Sequence, residues 1–88
     1  MAEIYSRAAE LMEAELGDEL VGLDVEAGNC FGFNDVATVI WRELEQPKSF
    51  DAIHAKLTDQ YDVDPGECAR DLSELLDDLI AKGLVTRA

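Results

Sequence analysis

The residue types that do chemistry are few and scattered in this chain. One histidine, His54, sits beside Ile53 in an apolar-patterned stretch. A lone histidine there reads as a boundary packing residue, with no nucleophile or second base spaced to work with it. Cys30 and Cys68 lie far apart and match no metal or redox spacing, so they read as reduced, half-buried thiols. The carboxylates are abundant but strung along the chain rather than paired in a cleft. No glycine-rich phosphate loop and no clustered metal-ligand set is legible. The residues therefore point away from catalysis, metal and cofactor, and toward binding.

The elements that would build a binding surface centre on Gly28–Trp41. A short β-run, Cys30 to Phe33, stops at Asn34, a good helix N-cap. The helix that follows carries Val36, Ala37, Ile40, Trp41 and Leu44 on one face. A strand thus becomes a helix without a loop. Upstream, Leu11–Leu16 and Glu19–Val25 flank Gly17-Asp18, the pattern of a hairpin, although local propensity in the first run favours helix. A second turn, Glu26–Asn29, leads into Cys30–Phe33 and completes a three-stranded antiparallel meander. Residues 1–8 carry little pattern and read as a loose or extended segment before a domain at 9–88.

Three helices are expected to cover the sheet. The first runs from about Asp35 to Glu45 and ends before Pro47. The second starts at Ser49 as N-cap and packs Phe50, Ile53, Leu57 and Tyr61. The third has Asp64 as N-cap, Pro65 in the first helical position and Glu67 in a capping-box-like pair, and stops after Lys82 at Gly83. Leu84-Val85-Thr86 leaves as a tail that packs back. The fold class is α+β: a three-stranded antiparallel sheet followed by three helices.

The third helix has apolar residues to spare. Cys68, Ala69, Leu72, Leu75, Leu76, Leu79 and Ile80 span roughly 140° of its circumference, where a core-facing helix needs about 100°. Glu67, Asp71, Glu74 and Asp78 form an acidic stripe along one flank. The stripe is either a solvated face or a rim that draws a basic partner to an apolar groove. Phe31-Gly32-Phe33 would be an outer strand with an open edge, free of the charge, proline or bulge that normally blunts one. Either the third helix covers this edge or an extended peptide adds there as a fourth strand. Alternation turns Phe31 and Phe33 to the helices and Cys30 and Gly32 to the other face.

Charge and length bound the partners. Eighty-eight residues with a net charge of −13 make one acidic domain. Phosphate contacts need clustered Lys and Arg, so the charge argues against nucleic acid and anionic membrane surfaces as partners. No apolar run reaches a membrane-spanning length, and the first residues do not form a signal peptide, which implies a cytoplasmic protein.

Several segments resemble PqqD-like proteins. Asn34–Trp41 is similar to their "LNEVGxxIW", Lys48–Ile53 to "R-T-V-E-E-I", and Tyr61–Pro65 to "Y-D-V-D-P". Asp71–Leu79 with Lys82–Val85 resembles their closing "D-V-x-x-F-L-x-x-L … R-G-L-V". The ordered set spans about residues 10–86, with Phe33 where the family has Leu and Ala37 where it often has Gly. The resemblance implies a winged helix-turn-helix that binds the leader of a ribosomally synthesised, post-translationally modified peptide (RiPP) and performs no chemistry. The leader would pair with the third strand at Cys30, Phe31, Gly32 and Phe33. It would lie against Cys68, Asp71, Leu72, Leu75 and Leu79 of the third helix, beside Asp78 of the acidic stripe. The "G-x-x-F-G-x-N" form followed by Ile40-Trp41 is most like the free-standing recognition proteins of lasso-peptide clusters, which work with a leader peptidase and a cyclase. The alternatives are a peptide chaperone of pyrroloquinoline quinone (PQQ) synthesis serving a radical SAM enzyme, and a general protein–protein adaptor. The "L-L-x-P-E-G" stretch typical of the PQQ branch is missing at Val25–Phe31.

Overall fold

The structure is a computed structural model and describes residues 3–88. Among these, strands β1 (Ile4–Arg7), β2 (Met12–Leu16), β3 (Glu19–Asp24), β4 (Asn29–Phe33), β5 (Lys48–Ser49) and β6 (Val85–Arg87) combine with helices α1 (Asp35–Glu43), α2 (Phe50–Gln60) and α3 (Pro65–Ala81). The fold is α+β with two three-stranded antiparallel sheets, ordered β2-β3-β4 and β5-β1-β6.

The first sheet is the meander expected from the sequence. Gly17 and Gly28 take φ of +67° and +73°, conformations that glycine adopts without strain, and so allow its two turns. Asp24 helps close the second turn, accepting the Ala27 N–H on its side chain at 3.1 Å. Register places Leu20 opposite Phe33 and Gly22 opposite Phe31 on the side facing the helices. Gly22 is required there, because an added Cβ would sit 2.6 Å from Leu11 Cδ1 and 3.2 Å from Phe33 Cε2.

The second sheet corrects the single-sheet expectation. Residues 4–7, read from the sequence as loose or extended, form a paired strand (residues 1 and 2 of that segment lie outside the described residues). Its partners are Val85–Arg87, read as a tail, and Lys48–Ser49. Four residues give too short a period to signal a strand, and both partners are distant in sequence. Tyr5 is nonetheless buried in the core. Arg7 stands 4.3 Å over the Trp41 ring and donates from Nε to the Trp41 carbonyl at 3.1 Å.

The helices begin as their caps dictate. Asn34 accepts from Ala37 N at 2.8 Å, Ser49 from Ala52 N at 3.1 Å and Asp64 from Glu67 N at 3.0 Å. α1 ends two residues before the expected Glu45. α3 closes in a Schellman motif: Gly83, at φ +77°, donates to Ile80 O at 2.9 Å and Leu84 donates to Leu79 O at 3.0 Å. That turn launches β6. The core gathers Leu20 and Phe33 from the sheet, Ile40, Trp41 and Leu44 from α1, Ile53 and Leu57 from α2, and Leu72, Leu76 and Leu79 from α3. Phe33 stacks on Trp41 at 5.5 Å between centroids, locking the strand to the helix it becomes.

Candidate functional site

β4 is an edge strand: β3 pairs with one side, and among the described residues no strand pairs with the other. α3 runs beside that open edge without covering it. A groove of about 510 Å³ separates the two. Cys30, Phe31, Gly32 and Phe33 form its strand wall, and Leu75, Asp78, Leu79 and Lys82 its helix wall. Phe33 and Leu79 are buried, Phe31 and Leu75 half-buried, and Cys30 and Gly32 exposed. A Cβ at Gly32 would meet nothing within 4 Å, so this part of the strand is open to an approaching backbone.

A second, smaller cleft of about 190 Å³ lies further along α3. Val36, Leu57, Tyr61, Val63, Cys68, Leu72 and Leu75 line it, with Glu67 and Asp71 beside them. Leu75 belongs to both hollows. Together they make a track that runs from a mixed groove at the β4 edge, with Asn34, Asp78 and Lys82 in its walls, into the apolar cleft at the start of α3. The sequence-derived residues thus fall into two groups: Cys30, Phe31, Gly32, Phe33, Asp78 and Leu79 at the groove, Cys68, Asp71 and Leu72 at the cleft, with Leu75 joining them. Sequence reasoning missed the far wall of the cleft, Val36, Tyr61 and Val63. Val63, 45% exposed between two aspartates, was the available signal.

Electrostatics sharpen the track. Glu67, Asp71, Glu74 and Asp78 are all exposed along its rim. Asp78 is held by Lys82 at 2.9 Å, a pair half in solvent on both sides and therefore weak. Burial, and secondarily the Asp71 charge, pushes the Cys68 thiol above its ordinary pKa. It therefore stays protonated and behaves as an apolar surface element rather than a nucleophile. Burial also raises the Tyr61 hydroxyl, with Asp35 and Asp18 adding to the effect. His54, the one histidine, packs on Phe50 at 6.2 Å and donates from Nε2 to the Pro65 carbonyl at 2.9 Å. It ties α2 to the start of α3 and lines neither hollow.

The family model for coenzyme PQQ synthesis protein D (PqqD) matches residues 19–85. The chain belongs to the PqqD family. Among solved structures it is similar to TbiB1 in complex with the TbiA(beta) leader peptide, with 31% identity, 91% of this chain and 93% of that chain covered, and a TM-score of 0.80. It is also similar to lasso peptide synthetase B1 complexed with the leader peptide, at 25% identity, 93% and 96% coverage and a TM-score of 0.74. No curated protein sequence matches the chain. Among the described residues no helix is long and apolar enough to cross a membrane, and no three His, Cys, Asp or Glu side chains cluster as metal ligands.

Proposed function

We propose that this PqqD-family protein is a leader-peptide recognition protein of lasso-peptide biosynthesis. It captures the leader of a ribosomally synthesised precursor and delivers it to a leader peptidase or other maturation enzyme, without itself performing chemistry. In this reading the leader adds to β4 as a fourth strand, exchanging backbone hydrogen bonds along Cys30–Phe33. Its alternate side chains then enter the track bounded by Cys68, Asp71, Leu72, Leu75, Asp78 and Leu79. The scaffold is a winged helix-turn-helix in which α3, acidic along its rim, serves peptide rather than DNA.

The observation that carries the reading is the open edge of β4 beside a groove that leads into an apolar cleft on α3. It is supported by similarity at 31% identity to a protein solved with a leader peptide. Each large apolar side chain seated in the track contributes about 1.5–3 kcal/mol toward the roughly 8 kcal/mol that micromolar affinity requires, so several anchors must act together with backbone pairing. Calorimetric titration with the leader of a precursor encoded beside this gene tests it. Binding at micromolar or tighter with a negative heat-capacity change is expected. Absence of heat with every neighbouring leader, in a folded sample, refutes it. The family description favours a second reading, a peptide chaperone of PQQ synthesis. Preference for a PQQ precursor over a lasso leader in the same titration would establish that branch instead.

A further inference from the structure

The sheet β2-β3-β4 has one covered face and one bare face; β3 and β4 turn Leu20 and Phe33 into the core, but the polarity of β2 is inverted. An antiparallel sheet on a core normally turns apolar residues in and polar residues out. Here Glu13 and Glu15 of β2 turn toward the helices, where Glu13 accepts the Trp41 indole N–H at 3.1 Å and Glu15 pairs with Arg42. The intervening residues turn to solvent. Register sets Met12, Leu23 and Cys30 in one row of the outer face and Ala14, Val21 and Gly32 in the next, with Leu16 beyond them. Met12 and Leu16 are each 66% exposed. Slipping β2 by one residue would turn these side chains inward, and the Glu13 contacts with Trp41 and Arg7 favour the register that exposes them.

We infer that this outer face docks the enzyme that receives the captured peptide, through an apolar patch on that enzyme bordered by Lys and Arg. The inference rests on the delivery role proposed above. Charge selects the occupant. Residues 8–33 contain no Lys or Arg and seven carboxylates, including Glu10, Asp18, Glu19 and Glu26 around the patch. A second copy of the chain would bring the same acidic rim against it, whereas a basic-rimmed partner is attracted. Continuity selects the role. The face runs through Gly32 and Cys30 to the β4 edge, so a strand added there extends the face with its own outward side chains. The enzyme then touches protein and peptide together, and by linkage each strengthens binding of the other.

The test is titration of the full chain with the purified leader peptidase encoded in the same cluster, with and without saturating leader. Met12→Lys/Leu23→Lys and, separately, Leu16→Lys place a cation on the patch at solvent-facing positions. Each is expected to weaken peptidase binding at least tenfold while leader affinity stays within twofold. For the wild type, saturating leader is expected to tighten peptidase binding severalfold, and added salt to weaken it. Unchanged peptidase affinity in both variants, no peptidase binding by the wild type, or no effect of leader overturns the inference. So does a wild-type dimer in sedimentation that the Lys variants dissolve. Peptidase binding without any leader binding would instead refute the recognition reading, so the two failures are distinguishable.

Discussion

Leu75→Asp is the perturbation that bears hardest on the peptide track. Leu75 is half-buried and forms the wall shared by groove and cleft. Replacing it removes an apolar contact of about 1.5–3 kcal/mol from a bound side chain. The new carboxylate must also lose water beneath the peptide, a cost of about 1–3 kcal/mol or more, whereas its repulsion from Asp71 and Asp78 weakens the helix in free and bound protein alike. The sum is at least about 2 kcal/mol, roughly a 30-fold rise in Kd. The fold survives because Leu72, Leu76 and Leu79 carry the buried contacts of α3. Calorimetric titration of the leader, with far-UV circular dichroism on the same sample, measures both. A folded variant that binds within threefold of wild type refutes the placement of the peptide along α3. Leu75→Ala, without the charge, is expected to weaken binding about tenfold and guards against a folding failure.

Other consequences are equally direct. Gly32→Pro, which deletes a strand N–H, is expected to weaken leader binding at least tenfold, whereas Gly32→Ala, facing open space, leaves the folded protein's Tm within about 3 °C. Titration and a thermal melt check the pair. Tyr5→Ala is expected to cost about 3 kcal/mol of stability, lowering Tm by more than about 10 °C. A melt unchanged within 2 °C would mean that β1 is not part of the core. Exposed Cys30 is expected to alkylate faster than Cys68, whose thiol is buried and raised in pKa, with the Cys68 reaction setting in only at higher pH. Mass spectrometry of an iodoacetamide time course reads both, and bound leader is expected to protect Cys30.

The sequence carried the local structure well because its signals are local. Asn34, Ser49 and Asp64 each cap the helix expected of them, and Gly17 and Gly83 turn the chain where expected. The α3 surplus was legible for the same reason: Leu75 falls outside the arc that Leu72, Leu76 and Leu79 bury. The second sheet was not legible. Its strands are short, and their pairing joins residues 4–7 to residues 85–87 across the whole chain. The inverted polarity of β2 was hidden too, because what turns Glu13 and Glu15 inward is Trp41 and Arg42, whose positions depend on the assembled core. The wall formed by Val36, Tyr61 and Val63 likewise needs α1 and α2 to meet at their ends, which periodicity along one helix cannot express.

An amide-resolved NMR titration of the isotopically labelled protein with the cognate leader tests the central claim most directly. Strand addition at β4 against α3 requires shifts concentrated at residues 29–33 and 68–79, with new exchange protection along β4. Shifts confined to β2 or to the β5-β1-β6 sheet, with residues 29–33 unmoved, would contradict it.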